Sequence, residues 1–381
     1  MVSRRAVLGG IVIGGGALTA AGYGAYKMLV PPPAEVGFTL SQPELDAARV
    51  LLKAHPAVDV HSHPGRTFVD GAKGLPWKLK LYALRGTFEE RVVEDMKAGG
   101  LAAVGFSAVA DFPVLDLGKN GLSAAREFEP GEAWKYHLAQ VANLKKLVDS
   151  GLVTPVLVPD DVIQAHNSGR PGAFFSAEGG DFLEGKIGRV EEIFNQGIRM
   201  LTPMHYHSNE IGDIITAAPV HGGLTGFGSE VIGEMNRLGM MIDVSHASEK
   251  TALAIIAKSS KPVSATHTHV SGLGMDHPRF ISKELARAVI DNGGYLGAWP
   301  AGIGISTLSD FVGRIEQLIK FAGVDHVAIG SDMDANYKPV YDNFRNLPLI
   351  VGEMLKRGHK EEDVAKVIGG NFMRVFAAHL G

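Results

Sequence analysis

Asp59-Val60-His61-Ser62-His63 closes an apolar run with two histidines one residue apart. On an extended strand side-chain direction repeats every two residues, so both imidazoles would share one face and reach one metal ion. Five further runs end on a group able to do chemistry. They end at Glu178 in Ala177-Glu178-Gly179-Gly180, at His205 in Leu201-Thr202-Pro203-Met204-His205, and at His246 in Ile242-Asp243-Val244-Ser245-His246. The other two end at His267 in Ser264-Ala265-Thr266-His267 and at Asp332 in Ile329-Gly330-Ser331-Asp332. A carboxylate such as Glu178 can bridge two cations and let each complete its shell with one or two histidines. Two metals about 3.5–4 Å apart can hold a hydroxide between them and polarise a carbonyl oxygen. Zinc brings the pKa of bound water to about 7, so the nucleophile would exist at neutral pH. An unligated carboxylate, which Asp332 would supply, can take the proton and return it to a leaving amine. Singly, each residue has a plainer explanation: Glu178 or Asp332 could cap a helix, and His246 could orient a loop.

Their shared position argues otherwise, and it depends on the elements that carry them. Eight short apolar runs have strand character: 58–61, 102–109, 173–177, 198–201, 240–244, 263–265, 295–298 and 327–330. Segments of helical periodicity separate most of them, including 132–148, 230–238 and 307–322, after an entry helix over 41–54. Residues 153–158 read as an extra strand. Strand alternating with helix indicates an α/β fold with a parallel sheet. A doubly wound open sheet fits that alternation nearly as well as a barrel. Every chemically capable residue, however, lies at the C-terminal end of a run, where a barrel gathers its active site from distant strands. The expected architecture is therefore a (β/α)8 TIM barrel of the metallo-dependent hydrolase type, forming one catalytic domain over 34–381.

The composition narrows the chemistry. Cysteine is absent, which excludes disulfides and thiolate ligands and leaves the 15 histidines and the carboxylates to hold any metal. A net charge of −4 offers no basic footprint for nucleic acid. Residues 1–33 have another character: Ser3-Arg4-Arg5 precedes a glycine-diluted uncharged run over 6–26, closed by Lys27 and Pro31-Pro32-Pro33. This pattern predicts an export signal of the twin-arginine kind or an uncleaved membrane anchor. The protein would then be periplasmic or otherwise extracytoplasmic, touching membrane only through this segment.

The sequence from about Glu44 onward resembles the membrane (renal) dipeptidases, zinc metallopeptidases of the amidohydrolase-like barrel class. The resemblance rests on Ser176-Ala177-Glu178-Gly179-Gly180, on Met235-Asn236-Arg237-Leu238-Gly239 leading to His246, on Gly330-Ser331-Asp332-Met333-Asp334, and on Asn371-Phe372-Met373-Arg374-Val375-Phe376. It implies two zinc ions per chain bridged by Glu178, with His61 and His63 on the first and His246 and His267 on the second. It implies that His205 steadies the oxyanion, and that Asp332 stands near the substrate's amino group on the proton-transfer path. It also implies that Arg279, in Asp276-His277-Pro278-Arg279, holds the carboxylate of a dipeptide, a task suited to a planar fork. Relatives are often dimers, which raises a homodimer without revealing an interface. The sequence departs from the family at His63, where aspartate is usual, at Phe280 (often Asn), at Asp181 (His in some) and at His269 (a small residue). His269 and, more weakly, His207 compete as ligands. His55, His137, His166, His221, His326, His359 and His379 are read as non-functional.

Two other functions fit the same residues. An amidohydrolase acting on an N-acyl amino acid, a lactone or a cyclic amide would use the same metals, because loops select substrate. A membrane-tethered, non-catalytic metal- or ligand-binding protein is favoured only by the change at His63.

Overall fold

The computed structural model describes residues 33–70, 72–77, 79–80, 89–118 and 121–380. Apart from Pro33, the expected leader lies outside the described residues. Among the described residues, no helix is long and apolar enough to cross a membrane.

Eight parallel strands form a nearly closed (β/α)8 barrel. They are β1 (Ala57–Ser62), β2 (Leu101–Val109), β3 (Gly172–Glu178), β4 (Ile198–Thr202), β5 (Met241–Asp243), β6 (Val263–Thr268), β7 (Leu296–Ala298) and β8 (Val327–Ile329). Each pairs with the next in chain order. The seam between β1 and the chain leaving β8 is fastened at the rim. There Asp332 N donates to His61 O at 2.8 Å, His63 N to Met333 O at 2.9 Å, and Ser331 N to the Asp59 carboxylate at 3.0 Å. The eight runs read from the sequence are these strands. Of 153–158, only Thr154–Pro155 pairs as a strand, beside the start of β3.

Alternate strand residues serve two cores, as period 2 requires. Val58, Val60, Phe174, Met200, Met241 and Ala328 pack with Phe372 and Phe376 of the C-terminal helix Asn371–Leu380. Phe174 and Phe372 stack at 4.8 Å, so this helix supplies part of that filling. Their neighbours Ala57, Ala173, Phe175, Ile198, Leu201, Ile242 and Val327 meet the surrounding helices instead. Those helices start where short polar side chains cap them. Ser41, Thr225, Ser248, Ser282 and Thr307 each accept from a backbone N–H in the first turn, and Ser41 with Glu44 forms a capping box.

Candidate metal centre

Glu178 ends β3 with its carboxylate buried, and histidine Nε2 atoms converge on it from several strands. On Oε1, His61 and His246 stand at 3.3 Å and His267 at 3.5 Å. On Oε2, His63 stands at 3.3 Å and His205 at 3.5 Å. Asp332 joins through its Oδ1, 3.3 Å from His63 Nε2. Three ligand groups follow: His61 with Glu178 and His267, His61 with His63 and Asp332, and Glu178 with His205 and His246. The five residues given as metal ligands by the resemblance, His61, His63, Glu178, His246 and His267, therefore lie in one cluster.

Local structure explains how His61 and His63 both arrive. The β1–β2 register slips between Asp59 and Ser62, and such a slip re-aims the side chains that follow. Val58 and Val60 consequently fill the barrel, whereas both odd-numbered histidines reach Glu178. His63 Nδ1 is held by Ser107 O at 3.0 Å, which leaves Nε2 for the centre. Below the rim the Asp243 carboxylate ties three strands together. It accepts from Thr202 Oγ1 at 2.7 Å, Ser245 Oγ at 2.6 Å, and Thr266 N and Oγ1 at 2.9 and 2.8 Å. The chain segments that carry His205, His246 and His267 thus share one anchor.

The electrostatics call for a cation. Among the described residues Glu178 Oε1 has no partner in hydrogen-bond geometry, although it is buried. Burial favours its neutral form, but the imidazoles around it, His205 and His61 foremost, hold the carboxyl well below its usual range. Burial opposes charge on His63 as well, yet Asp332 and Glu178 push it up to about 10, so positive charge is favoured between those carboxylates. His246 and His267 are held well below the ordinary histidine value, His246 by burial and Arg279, His267 by burial and His61. Neutral imidazole is the ligating form. Donors about 2.0–2.1 Å from a tetrahedral zinc lie roughly 3.3 Å apart, matching the 3.3 Å between His61 and His63 Nε2. The donor set fits a metal.

Two groups at the centre escaped the sequence reading, because neither belongs to a recognisable spacing. Asp111, just past β2, accepts from His205 Nδ1 at 2.7 Å and from Tyr206 N at 2.9 Å. An acid directly after an apolar run was its only signal. Trp299, just past β7, donates from Nε1 to Asp332 Oδ2 at 3.2 Å. With these two, groups beyond all eight strands line the rim. Arg279 is buried at its edge, donating to Ser245 O at 2.6 Å and to His246 Nε2 at 3.0 Å.

The competing histidines turn elsewhere. His269 lies beyond the end of β6, so the two-residue repeat no longer governs it. Its Nε2 pairs with Leu273 O at 3.0 Å, and burial with the nearby Arg314 lowers it to about 4. His207 bridges Asp181 at 2.6 Å and Glu127 at 3.1 Å, which also accounts for an aspartate at 181. Phe280 is buried, edge-on to His269 at 5.1 Å and beneath the Arg314 guanidinium at 5.5 Å. It anchors the loop that presents Arg279.

A parallel barrel with a buried carboxylate ringed by imidazoles at its C-terminal rim is the architecture of a metal-dependent hydrolase. The chain belongs to the membrane dipeptidase family, peptidase family M19, which matches residues 46–379. It is 26% identical over 330 residues to dipeptidase verJ of Clonostachys rogersoniana, covering 81% of this chain and 82% of that one. An amidohydrolase from Pseudomonas aeruginosa shares the fold with a TM-score of 0.69 at 24% identity, over 87% of this chain and 98% of its own. A metallopeptidase from Rhodobacter sphaeroides, liganded with a phosphinate mimic of the dipeptide L-Ala-D-Ala, superposes with a TM-score of 0.70 at 20% identity. That match covers 85% of this chain and 99% of the other.

Proposed function

We propose that this protein is an exported dipeptidase that hydrolyses the peptide bond of a dipeptide with two zinc ions. The observation that carries the proposal is Glu178, a buried carboxylate whose two oxygens face histidines from different strands. His61, His63 and Glu178 would hold one zinc, and Glu178, His246 and His267 the other. Bound zinc supplies an acidified water near neutral pH and a Lewis acid for the carbonyl.

The chain's own groups do the rest. Arg279 presents a guanidinium fork to the substrate's carboxylate. His205 is raised above its ordinary value because Asp111 and Glu178 outweigh its burial. It can therefore keep a proton on Nε2 and donate it to an oxygen gaining negative charge. Asp332 accepts a proton from the attacking water and passes it to the leaving amine. Its backbone lies at φ +52°, in the left-handed region, fixed there by the hydrogen bond to His61 O. The dipeptide mimic bound by the Rhodobacter sphaeroides enzyme and the name of the Clonostachys rogersoniana relative favour a dipeptide. Export is proposed from Arg4-Arg5 and the uncharged run that follows.

Metal analysis of the purified chain, with a panel of L-L and L-D dipeptides, N-acyl amino acids and lactones, tests this reading. Two zincs per chain, chelator-sensitive turnover and preference for dipeptides are expected. Arg279→Ala should raise KM about 10- to 100-fold for substrates with a free carboxylate and spare their amides. A metal-free protein under replete conditions, or turnover confined to lactones, would overturn it.

A further inference from the structure

Asp332 and Arg279 come from separate loops of the rim, the first after β8 and the second beyond β6, with the loop after β7 between them. One side chain touches both. Trp299 donates its indole N–H to Asp332 Oδ2 at 3.2 Å, and its ring lies under the Arg279 guanidinium, 5.2 Å from the centroid. The same ring stands edge-on to His267 at 6.2 Å. We propose that Trp299 is a positioning residue that aligns the proton carrier with the carboxylate anchor, using its N–H for the first and its ring face for the second. This rests on the roles given above to Asp332 and Arg279.

The chemistry of the indole makes the two roles separable. Its nitrogen can only donate, so it singles out one carboxylate oxygen. Oδ2 is thereby tied to Trp299, while Oδ1 faces His63 at 3.3 Å. A carboxylate with one oxygen fixed cannot rotate freely about its last torsion, and the orientation that accepts and returns a proton is kept. The ring face attracts the guanidinium through its quadrupole, an interaction that strengthens out of water. Arg279 is buried here, with its second tether on Ser245 O.

Trp299 is itself firmly placed. Its N donates to Thr268 O at 3.2 Å, and its carbonyl accepts from Arg314 Nη1 at 2.8 Å. Arg314 also holds the carbonyls of Ala301 at 3.1 Å and Ile303 at 2.6 Å, so one guanidinium sets the path of the loop after β7. Met275 and Ile303 pack around the cluster of Phe280, Trp299 and Ala301, completing an apolar wall. A tryptophan so constrained transmits little slack to the two groups it touches.

Two variants of the full chain, loaded with zinc, separate the roles. Trp299→Phe keeps a ring face and loses the donor; Trp299→Leu loses both. Steady-state kinetics would compare a dipeptide bearing a free carboxylate with its C-terminal amide, and calorimetry would measure binding of a phosphinate dipeptide mimic. Trp299→Phe should lower kcat about 10-fold with KM and mimic affinity within about twofold of the wild type. Trp299→Leu should lower kcat similarly and also raise KM about 5- to 10-fold for the free carboxylate alone. Unchanged kcat in Trp299→Phe, or a KM increase shared by dipeptide and amide, overturns the proposal. Should Trp299→Leu fail to fold, the split between kcat and KM in Trp299→Phe decides the matter. A wild type inactive on every dipeptide would instead refute the proposed function, and this inference with it.

Discussion

Glu178 is the residue on which the centre turns, because its two oxygens face histidines from different strands. Replacing it by glutamine keeps the shape but turns one acceptor oxygen into an NH2 donor and removes the negative charge that faces five imidazoles. Glu178→Gln should therefore lose at least one metal per chain, with turnover falling by about a thousandfold or more. Elemental analysis beside a dipeptide assay checks this, and full metal occupancy in the variant would contradict it. His63 differs in kind. It supplies an imidazole where the resemblance led one to expect a carboxylate, yet it occupies the space between Glu178 and Asp332 and keeps its ring oriented through Ser107 O.

Between residue and barrel stand the short connections beyond each strand. The loop after β7 is organised by Arg314, buried on the helix Leu308–Ala322, whose guanidinium serves three backbone carbonyls and is lowered to about 10 by burial. Arg314→Leu would leave those carbonyls without a donor in an apolar wall. Unfolding free energy should drop by about 3 kcal/mol, read from urea denaturation of the metal-free protein. The metal ligands themselves sit on other strands, so metal stoichiometry should be unchanged. Loss of metal in that variant would mean that the loop supports more of the rim than Trp299 and its neighbours.

The molecule as a whole should be sensitive to acid for a reason separate from its metals. His137 is buried between Trp134 and Phe182, at 5.6 and 4.1 Å, and burial lowers it to about 4. His379, against Pro262 O at 2.9 Å, is likewise lowered to about 4 by burial. In the unfolded chain both protonate near 6.5. As pH falls below about 6.5 the unfolded state takes up protons that the folded state refuses until about 4, so stability is lost across that window. Tm of the chelator-treated protein should fall steadily from pH 6.5 to 4, and His137→Phe should flatten part of the slope. A Tm independent of pH in that range would show that these histidines are not neutral inside the fold.

The chemistry of the centre was written locally. An apolar run and the polar residue that ends it are neighbours in sequence, so the eight strands and the histidines and carboxylates at their ends could be read without a structure, as could the family motifs around Glu178, His246 and Asp332. Tertiary structure settled what no local pattern holds. The pairing of His205 with Asp111 spans 94 residues, and that of Asp59 with Ser331 spans 272. The register slip in β1 turns the face shared by His61 and His63 toward Glu178, and the end of β6 sends His269 away from His267. Gly297 and Gly330 belong here too: a Cβ on either would lie 1.7 or 1.8 Å from Thr266 O, a closeness decided by neighbouring strands. Residue type and strand end are properties of a short stretch of chain. Which side chains meet depends on how distant strands close into a barrel, and that geometry exists only once all of them have packed.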